Sequence, residues 1–223
     1  MTKEEIEKNI DEQVSAAAKE FRAGLEFIQK YPRRVTIFGS AQAMPESVHY
    51  KAAEELAGRI VRELDYTVVT GGGPGIMCAA NKGARGAHGT SKTIGLAIGL
   101  PREQHINEYV DDVILFQHFF VRKTMLTFAA EAFVFFPGGF GTFDELFDIL
   151  DLISTRKIPR VPVILVGSDF WHPLANFIKT NMYENHASIN KGDMQMYRVT
   201  DNLDDVVDMI KKAPIEPWWK DAD

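Results

Sequence analysis

Short apolar segments alternate with longer amphipathic segments along most of the chain, and this alternation restricts the folds that it can adopt. The predicted strands lie at 35–38, 66–70, 93–98, 113–116, 132–136 and 161–166. Predicted helices lie near 47–63, after 76, and at 119–130, 142–155, 170–182 and 202–212. Strands that are apolar throughout are buried on both faces, which is typical of a parallel sheet between two layers of helices. We therefore predict one doubly wound, Rossmann-like α/β domain.

The segment 3–30 precedes this alternating region and has a helical pattern of its own. Its apolar side chains recur every three or four residues and form one stripe, made of Ile6, Ile10, Val14, Ala17, Phe21, Leu25 and Ile28. The stripe predicts a helix packed on the domain, although a helix used in subunit contacts has the same pattern. We divide the chain into a helical extension at 1–31, the α/β domain at 32–213 and a tail at 214–223.

Composition excludes several classes of protein. The formal net charge is −6, whereas dedicated nucleic-acid binders usually carry a basic face. Cys78 is the single cysteine, so no intramolecular disulfide can form and a reducing compartment is expected. No segment approaches the ~20 apolar residues of a membrane span, and the polar N-terminus lacks the apolar stretch of a signal peptide. We expect a cytoplasmic protein without membrane or nucleic-acid partners.

Ten of the 17 glycines are concentrated at 71–89 and 138–141, and both clusters follow a predicted strand. In the second, Pro137 to Glu145, a glycine-rich turn leads into a helix whose expected N-cap is Thr142. Such a turn exposes backbone N–H groups and the positive end of a helix dipole, which together attract a phosphate. Glu145 follows Thr142 by three residues, and this spacing also fits a capping box. Spacing alone leaves a chemical role and a capping role open for Glu145.

The first cluster runs from Thr70 to Met77 and also joins a strand to a helix. It matches neither the G-x-G-x-x-G dinucleotide pattern nor the Walker A pattern, which disfavours an NAD(P)-linked enzyme. A tight turn and an anion-binding loop both remain compatible with it. Both clusters stand where parallel strands end, which is where ligands bind in doubly wound sheets.

Two adjacent basic residues are further candidates for a ligand-binding role. Arg122 and Lys123 lie in an otherwise apolar helix, and the planar guanidinium of arginine suits a phosphate or a vicinal diol. The histidines show no metal-ligand spacing, and no G-x-S-x-G motif is present. We therefore predict neither a metal site nor a nucleophilic serine.

Together these segments resemble the LOG family, the cytokinin riboside 5′-monophosphate phosphoribohydrolases, in its bacterial branch. The family pattern Pro-Gly-Gly-x-Gly-Thr-x-x-Glu is met by Pro137 to Glu145, and Arg122 and Lys123 precede Glu145 at a suitable distance. The segments Gly71 to Met77 and Gly39-Ser40 also look like family features. The resemblance covers roughly 33–185. Members are sometimes labelled lysine decarboxylases, but no constellation for pyridoxal phosphate is visible, and we predict no cofactor.

The resemblance implies hydrolysis of the N-glycosidic bond of AMP or an N6-substituted adenine nucleotide, which releases the base and ribose 5-phosphate. It implies that Glu145 and Arg122 are catalytic. The implied substrate-binding residues are Lys123, Gly138, Gly139, Gly141, Thr142, Asp144, Ser40, Gly72, Gly73 and Glu103. Asp144 has the alternative of favouring the helix N-terminus, and Glu103 that of an exposed loop carboxylate. The resemblance also favours a homodimer or a higher homo-oligomer.

A different class of protein has the same glycine-rich turns. A nucleotide or phosphate-cofactor carrier needs an anion site but does not need a carboxylate beside an arginine. The pairing of Arg122 with Glu145 is therefore the feature that favours an enzyme over a carrier.

Overall fold

The computed structural model describes residues 3–87, 89–90, 92–99, 105–128 and 130–214. Within these residues, no helix combines the length and the apolar character that crossing a membrane requires. Glu103 and most of the predicted tail lie outside the described residues.

Strands and helices alternate after a long first helix. The strands are β1 Arg34–Phe38, β2 Thr67–Thr70, β3 Thr93–Ile98, β4 Asp112–Phe116, β5 Ala132–Phe135, β6 Val163–Leu165 and β7 Arg198–Val199. The helices are α1 Lys3–Ile28, α2 Val48–Arg59, α3 Ile76–Arg85, α4 Phe119–Phe128, α5 Phe140–Ser154, α6 Ser168–Phe177 and α7 Leu203–Lys211. Wider π-helical turns extend α2 through Ile60–Leu64 and α6 through Ile178–Asn185, and a 3₁₀ turn spans Asp193–Gln195.

All seven strands form one parallel sheet in the order β4-β3-β2-β1-β5-β6-β7. The chain builds outward from β1 to β4, then returns to the other side of β1 with β5. In the β1–β5 pair, Val35 lies opposite Ala132 and Phe38 opposite Phe135. The strand order therefore reverses between β1 and β5, and a crevice is expected beyond their carboxyl ends. The predicted doubly wound sheet is confirmed.

Each face of the sheet carries its own apolar core. Val134 of β5 packs on the side of α2, α3 and α7, whereas Phe133 and Phe135 pack on the side of α1, α4, α5 and α6. Successive strand residues alternate between these cores because side chains along a strand point to opposite faces. Burial on both faces explains why the strands are apolar throughout.

The second half of α1 packs against the domain, and the first half extends away from it. Phe27 and Ile28 are buried in the core on the α4 side, and the Ile28 carbonyl accepts a hydrogen bond from Arg34 Nη1 at 2.7 Å. Ile10 and Val14, by contrast, are exposed. The predicted apolar stripe is therefore buried along only part of its length. The division of the chain at residues 31 and 213 stays a prediction.

The sequence analysis did not predict the last strand, β7, and predicted β6 as too long. The predicted strand at 161–166 is shorter in the structure, and β7 was not predicted at all. β7 has two residues and pairs with β6 at the sheet edge through Ile164–Arg198 and Leu165–Val199. A strand of this length has no periodicity of its own, so only its pairing with β6 defines it.

Candidate active site

A cavity of about 400 Å³ opens beyond the carboxyl ends of β1 and β5, at the reversal of strand order. It brings together six of the residues predicted from the sequence: Ser40, Arg122, Gly139, Gly141, Thr142 and Glu145. Ile37, Phe38, Met77 and Phe119 contribute apolar side chains to its wall. Residues far apart along the chain thus meet where the topology predicts a ligand site.

The amino end of α5 forms one wall of this cavity. Gly139 is the N-cap, and both Gly139 and Gly141 have open space where a side chain would begin. At Gly138, a Cβ atom would lie 2.0 Å from Thr142 Oγ1, so only glycine fits there. The helix therefore presents bare backbone and the Thr142 side chain to the cavity, an arrangement suited to an anion.

The predicted capping box of Thr142 and Glu145 is wrong. The helix begins at Phe140, two residues earlier than expected, because Gly139 takes the N-cap position in extended backbone. Thr142 is thus in the first turn, and Glu145 lies six residues after the N-cap. A carboxylate at that position cannot reach back to the N-cap N–H. The structure therefore removes the capping alternative for Glu145.

The Glu145 carboxyl group is buried beside a single guanidinium. Its side chain is 5% exposed, and Oε1 lies 3.7 Å from Arg122 Nη1. Its second oxygen, Oε2, is buried without a hydrogen-bond partner among the described residues. Burial raises the pKa of Glu145 to about 7, although the charges of Arg122 and Lys123 oppose this rise. The group can therefore exchange a proton near neutral pH.

The guanidinium of Arg122 is fixed from two sides. Its Nε donates a hydrogen bond to the carbonyl of Leu96, in the second half of β3, at 3.0 Å. Its Nη2 lies so close to the backbone of Gly71 that a Cβ atom there would be 2.6 Å away. Burial lowers the pKa of Arg122 and Glu145 opposes this, but an arginine remains protonated in either case. A permanent cation thus faces Glu145.

Gly71 is a site residue that the sequence analysis missed. We selected Gly72 and Gly73, but neither lines the cavity, whereas Gly71 does. The carbonyls of Gly72 and Gly73 accept hydrogen bonds from Asn107 Nδ2 at 3.0 and 2.9 Å, which fixes the loop from behind. The position of Gly71 directly after β2 is the signal that could have identified it. Asn107 has no comparable signal in the sequence.

Ser40 connects the two glycine-rich loops through its backbone. Its N–H donates to the Pro137 carbonyl at 3.0 Å, and its carbonyl accepts from the Ile76 N–H at 2.9 Å. Ser40 therefore couples the loop after β5 to the start of α3. This places the loops after β1, β2 and β5 in fixed relative positions around the cavity.

Lys123 and Asp144 form an ion pair beside the cavity. Lys123 Nζ lies 2.8 Å from Asp144 Oδ1 and 3.6 Å from Asp148 Oδ1. Burial alone would lower the pKa of Lys123, but these carboxylates raise it above its ordinary value.

Among the described residues there is no group of three or more His, Cys, Asp or Glu side chains arranged to hold a metal ion.

A family of known proteins matches the part of the chain that contains the two charged residues of this site. A family model described as "Possible lysine decarboxylase" matches residues 77–210, the larger part of the chain. The chain belongs to this family. The match confirms the resemblance to the LOG family, and it contains Arg122 and Glu145 but not α1.

Relatives of this chain carry names that describe nucleotide chemistry. It is 28% identical over 158 residues to a cytokinin riboside 5′-monophosphate phosphoribohydrolase of Arabidopsis thaliana, covering 70% of this chain and 73% of that protein. A protein of the same name from Mycobacterium marinum is 28% identical over 79% of this chain and 93% of its own. A pyrimidine/purine nucleotide 5′-monophosphate nucleosidase of Escherichia coli K12 is 30% identical over 137 residues. The aligned segment covers 56% of this chain and 30% of that protein. The chain spans 62–73% of the plant relatives.

Solved structures share the fold at lower identity. The molybdenum cofactor carrier protein of Chlamydomonas reinhardtii superposes with a TM-score of 0.61 at 22% identity, over 81% of this chain and 97% of that one. A molybdenum cofactor binding protein of Rippkaea orientalis gives a TM-score of 0.56 at 22% identity, over 81% and 96%. These likenesses establish the Rossmann-type fold.

The raised pKa of Glu145 predicts that the site destabilises the fold at neutral and alkaline pH. A folded-state pKa above the unfolded value of 4.5 means that stability is fully present below pH 4.5 and is lost as pH rises through about 7. Glutamine mimics the protonated form at every pH. Glu145→Gln should therefore stabilise the protein by about 3 kcal/mol at pH 8 and by almost nothing at pH 4. Urea unfolding at both pH values measures this, and an equal effect at both would contradict it.

Proposed function

We propose that this protein hydrolyses the N-glycosidic bond of a nucleoside 5′-monophosphate and releases the free base and ribose 5-phosphate. The observation that carries the proposal is the buried Glu145 carboxyl, 3.7 Å from Arg122 in a cavity bordered by the amino end of α5. The names of the relatives support the same reaction. The proposed substrate is AMP or an N6-substituted adenine nucleotide such as a cytokinin riboside monophosphate.

The 5′-phosphate is assigned to the amino end of α5. The backbone at Gly139 and Gly141 is unobstructed there, and Thr142 lies in the first turn with its side chain lining the cavity. N–H groups and the helix dipole at such an end favour a phosphate without any basic side chain. This accounts for a phosphate site in a protein whose net charge is −6.

Glu145 is assigned to the reacting carbon. As the bond from C1′ to the base nitrogen breaks, its electron pair leaves with the base and positive charge develops on the ribose. An ionised carboxylate stabilises that charge and accepts a proton from the water whose oxygen attacks C1′. The base takes its own proton from solvent. The pKa of about 7 suits a group that accepts and releases a proton at neutral pH.

Arg122 and Lys123 are assigned supporting roles. Arg122 keeps part of the Glu145 population ionised, and its remaining N–H groups are available to orient the sugar and phosphate. Lys123, paired with Asp144, adds positive charge beside Glu145. Asp144 itself is engaged in that pair, which supports a role in orienting Lys123.

A carrier that binds a nucleotide or a phosphate-bearing cofactor without cleaving it is the alternative. The likeness to molybdenum cofactor proteins extends to the fold alone and does not separate the two functions. A carboxylate that burial holds near neutral pKa favours catalysis, because an anion-binding site gains nothing from a second negative charge. Tight binding of AMP in calorimetry with no base released from any nucleotide would favour the carrier.

Replacement of Glu145 tests the catalytic assignment. Incubation with AMP and with isopentenyl-AMP should release free base, and adenosine, which lacks the phosphate, should be a poor substrate. Glu145→Gln should lower kcat by about a thousandfold because the charge at C1′ is no longer stabilised. The matched control is Asp151→Asn, an exposed carboxylate on the same helix, which should keep full activity. Substantial activity of Glu145→Gln would reassign the role.

The pH dependence of kcat tests which form of Glu145 acts. A carboxylate that stabilises positive charge and takes a proton must be ionised, so kcat should rise with pH and level off above about 7. kcat is the quantity to follow because the substrate phosphate itself ionises near pH 6 and complicates kcat/KM. A kcat that falls as pH rises through this range would identify Glu145 as a proton donor instead.

We further propose a homodimer. Phe120 on α4 and Phe140 on α5 are 62% and 96% exposed, and these two helices also carry the charged site residues. A second copy of the chain would bury these rings. Large exposed apolar side chains favour such an interface, because burial removes their surface from water. The single cysteine, Cys78, supports a cytoplasmic location, and the net charge of −6 argues against nucleic-acid partners.

Light scattering tests the dimer. At micromolar concentration the wild type should have twice the mass of the chain, and Phe120→Asp should shift it toward the monomer because a carboxylate would be buried in the interface. Phe177→Asp on α6 is the control, since Phe177 is 54% exposed but lies on a helix that carries none of the proposed site residues. A monomeric wild type would contradict the proposal.

A further inference from the structure

A carboxylate from α1 caps the helix that carries Arg122. The Gln117 N–H donates to both oxygens of Glu20, at 3.1 and 3.2 Å, and the His118 N–H donates to Glu20 Oε2 at 3.1 Å. Gln117 and His118 immediately precede α4, whose first residue is Phe119. The Glu20 side chain therefore caps the amino end of α4, although Glu20 and Gln117 are 97 residues apart along the chain.

The charge on Glu20 suits this position. Burial alone would raise its pKa, but the backbone N–H groups of His118 and Gln117 and the His118 side chain hold it below its ordinary value. His118 Nδ1 also lies 3.2 Å from Glu20 Oε1. An ionised carboxylate that accepts backbone N–H groups at a helix start forms stronger hydrogen bonds than a neutral cap and interacts favourably with the helix dipole.

One turn after Glu20, α1 contacts α4 again. Gly24 is buried, and a Cβ atom there would lie 2.6 Å from Met125 Cγ and Sδ. Met125 is itself completely buried in the core. Because Glu20 and Gly24 are four residues apart, they lie on the same face of α1. Glu20 contacts the start of α4, and Gly24 contacts Met125, about two turns further along α4.

Arg122 lies between these two contacts. Its N–H donates to the His118 carbonyl at 3.1 Å, and Met125 follows it by three residues. A shift or rotation of α4 would move Arg122 against the backbone of Gly71 and away from the Leu96 carbonyl, both of which fix its guanidinium. The distance between Arg122 and Glu145 therefore depends on how α1 holds α4.

We propose that Glu20 is a positioning residue of the active site, which acts by capping α4 and thereby placing Arg122 opposite Glu145. This inference rests on the proposed function, since it assigns Arg122 to the reaction. It gives α1, which precedes the segment matched by the family, a role in the chemistry of this chain.

Replacement of Glu20 should reduce turnover more than substrate affinity. In Glu20→Ala we expect kcat for AMP to fall about tenfold, because small displacements of a catalytic group are costly. KM should change less than kcat, by about threefold or less, because the amino end of α5, which holds most of the phosphate contacts in this proposal, is not touched by Glu20. Glu20→Gln keeps one acceptor oxygen and should lie between the wild type and Glu20→Ala. The control is Glu26→Ala, which removes an exposed carboxylate from the same helix.

Hydrogen exchange provides a measurement that needs no activity. Backbone amides of α4 should exchange faster in Glu20→Ala than in the wild type or in Glu26→Ala, because the first turn of α4 has lost its cap. Unchanged α4 exchange, or an unchanged kcat in an active enzyme, would overturn the proposal. If the wild type cleaves no nucleotide, the proposed function fails, whereas the exchange result still decides whether Glu20 positions α4. Glu20→Gln preserves side-chain size and serves both measurements should the alanine variant not fold.

A double-mutant cycle separates positioning from a general loss of structure. Glu20→Ala should lower kcat in the wild-type background but have little further effect in an Arg122→Lys background, because both changes act on the same group. Equal losses in the two backgrounds would show that Glu20 does not act through Arg122 and would overturn the proposal.

Discussion

The organisation of the site depends on two buried charges that lie close together without forming a tight pair. Glu145 and Arg122 are separated by 3.7 Å, and Glu145 Oε2 has no hydrogen-bond partner among the described residues. A closer, fully satisfied pair would keep the carboxyl ionised, whereas burial near one guanidinium leaves its pKa at about 7. This arrangement lowers the free energy of unfolding, because an ionised carboxylate is buried without a full set of hydrogen bonds. Such groups are concentrated at functional sites.

Backbone rather than side chains surrounds these charges. Gly71 allows Arg122 to lie against the loop after β2, and Gly138 leaves room for Thr142 at the start of α5. The parallel sheet makes this arrangement possible, because the loops after β1, β2 and β5 all emerge at one edge next to the reversal of strand order. Helices α4 and α5 then bring one charge each to that edge.

Periodicity and local motifs predicted the fold class and six of the residues that line the cavity. The apolar strands, the glycine clusters after them and the charged residues Arg122 and Glu145 all have signals within short windows of sequence. The start of α5 was predicted two residues late, because Thr142 has the chemistry of an N-cap and the extended backbone of Gly139 has no side-chain signature. Gly72 and Gly73 could not be distinguished from Gly71, since a glycine cluster does not indicate which member faces the ligand.

The sequence by itself determined a doubly wound sheet, a glycine-rich turn before α5, and a carboxylate and an arginine suited to glycosidic chemistry. These properties depend on residue type and on spacing within single elements, which the sequence contains directly. Only the tertiary structure decided that Glu145 is buried, that Gly71 supports Arg122, and that Glu20 caps α4. Each of these depends on the approach of segments distant in sequence, and burial and pKa follow from that approach.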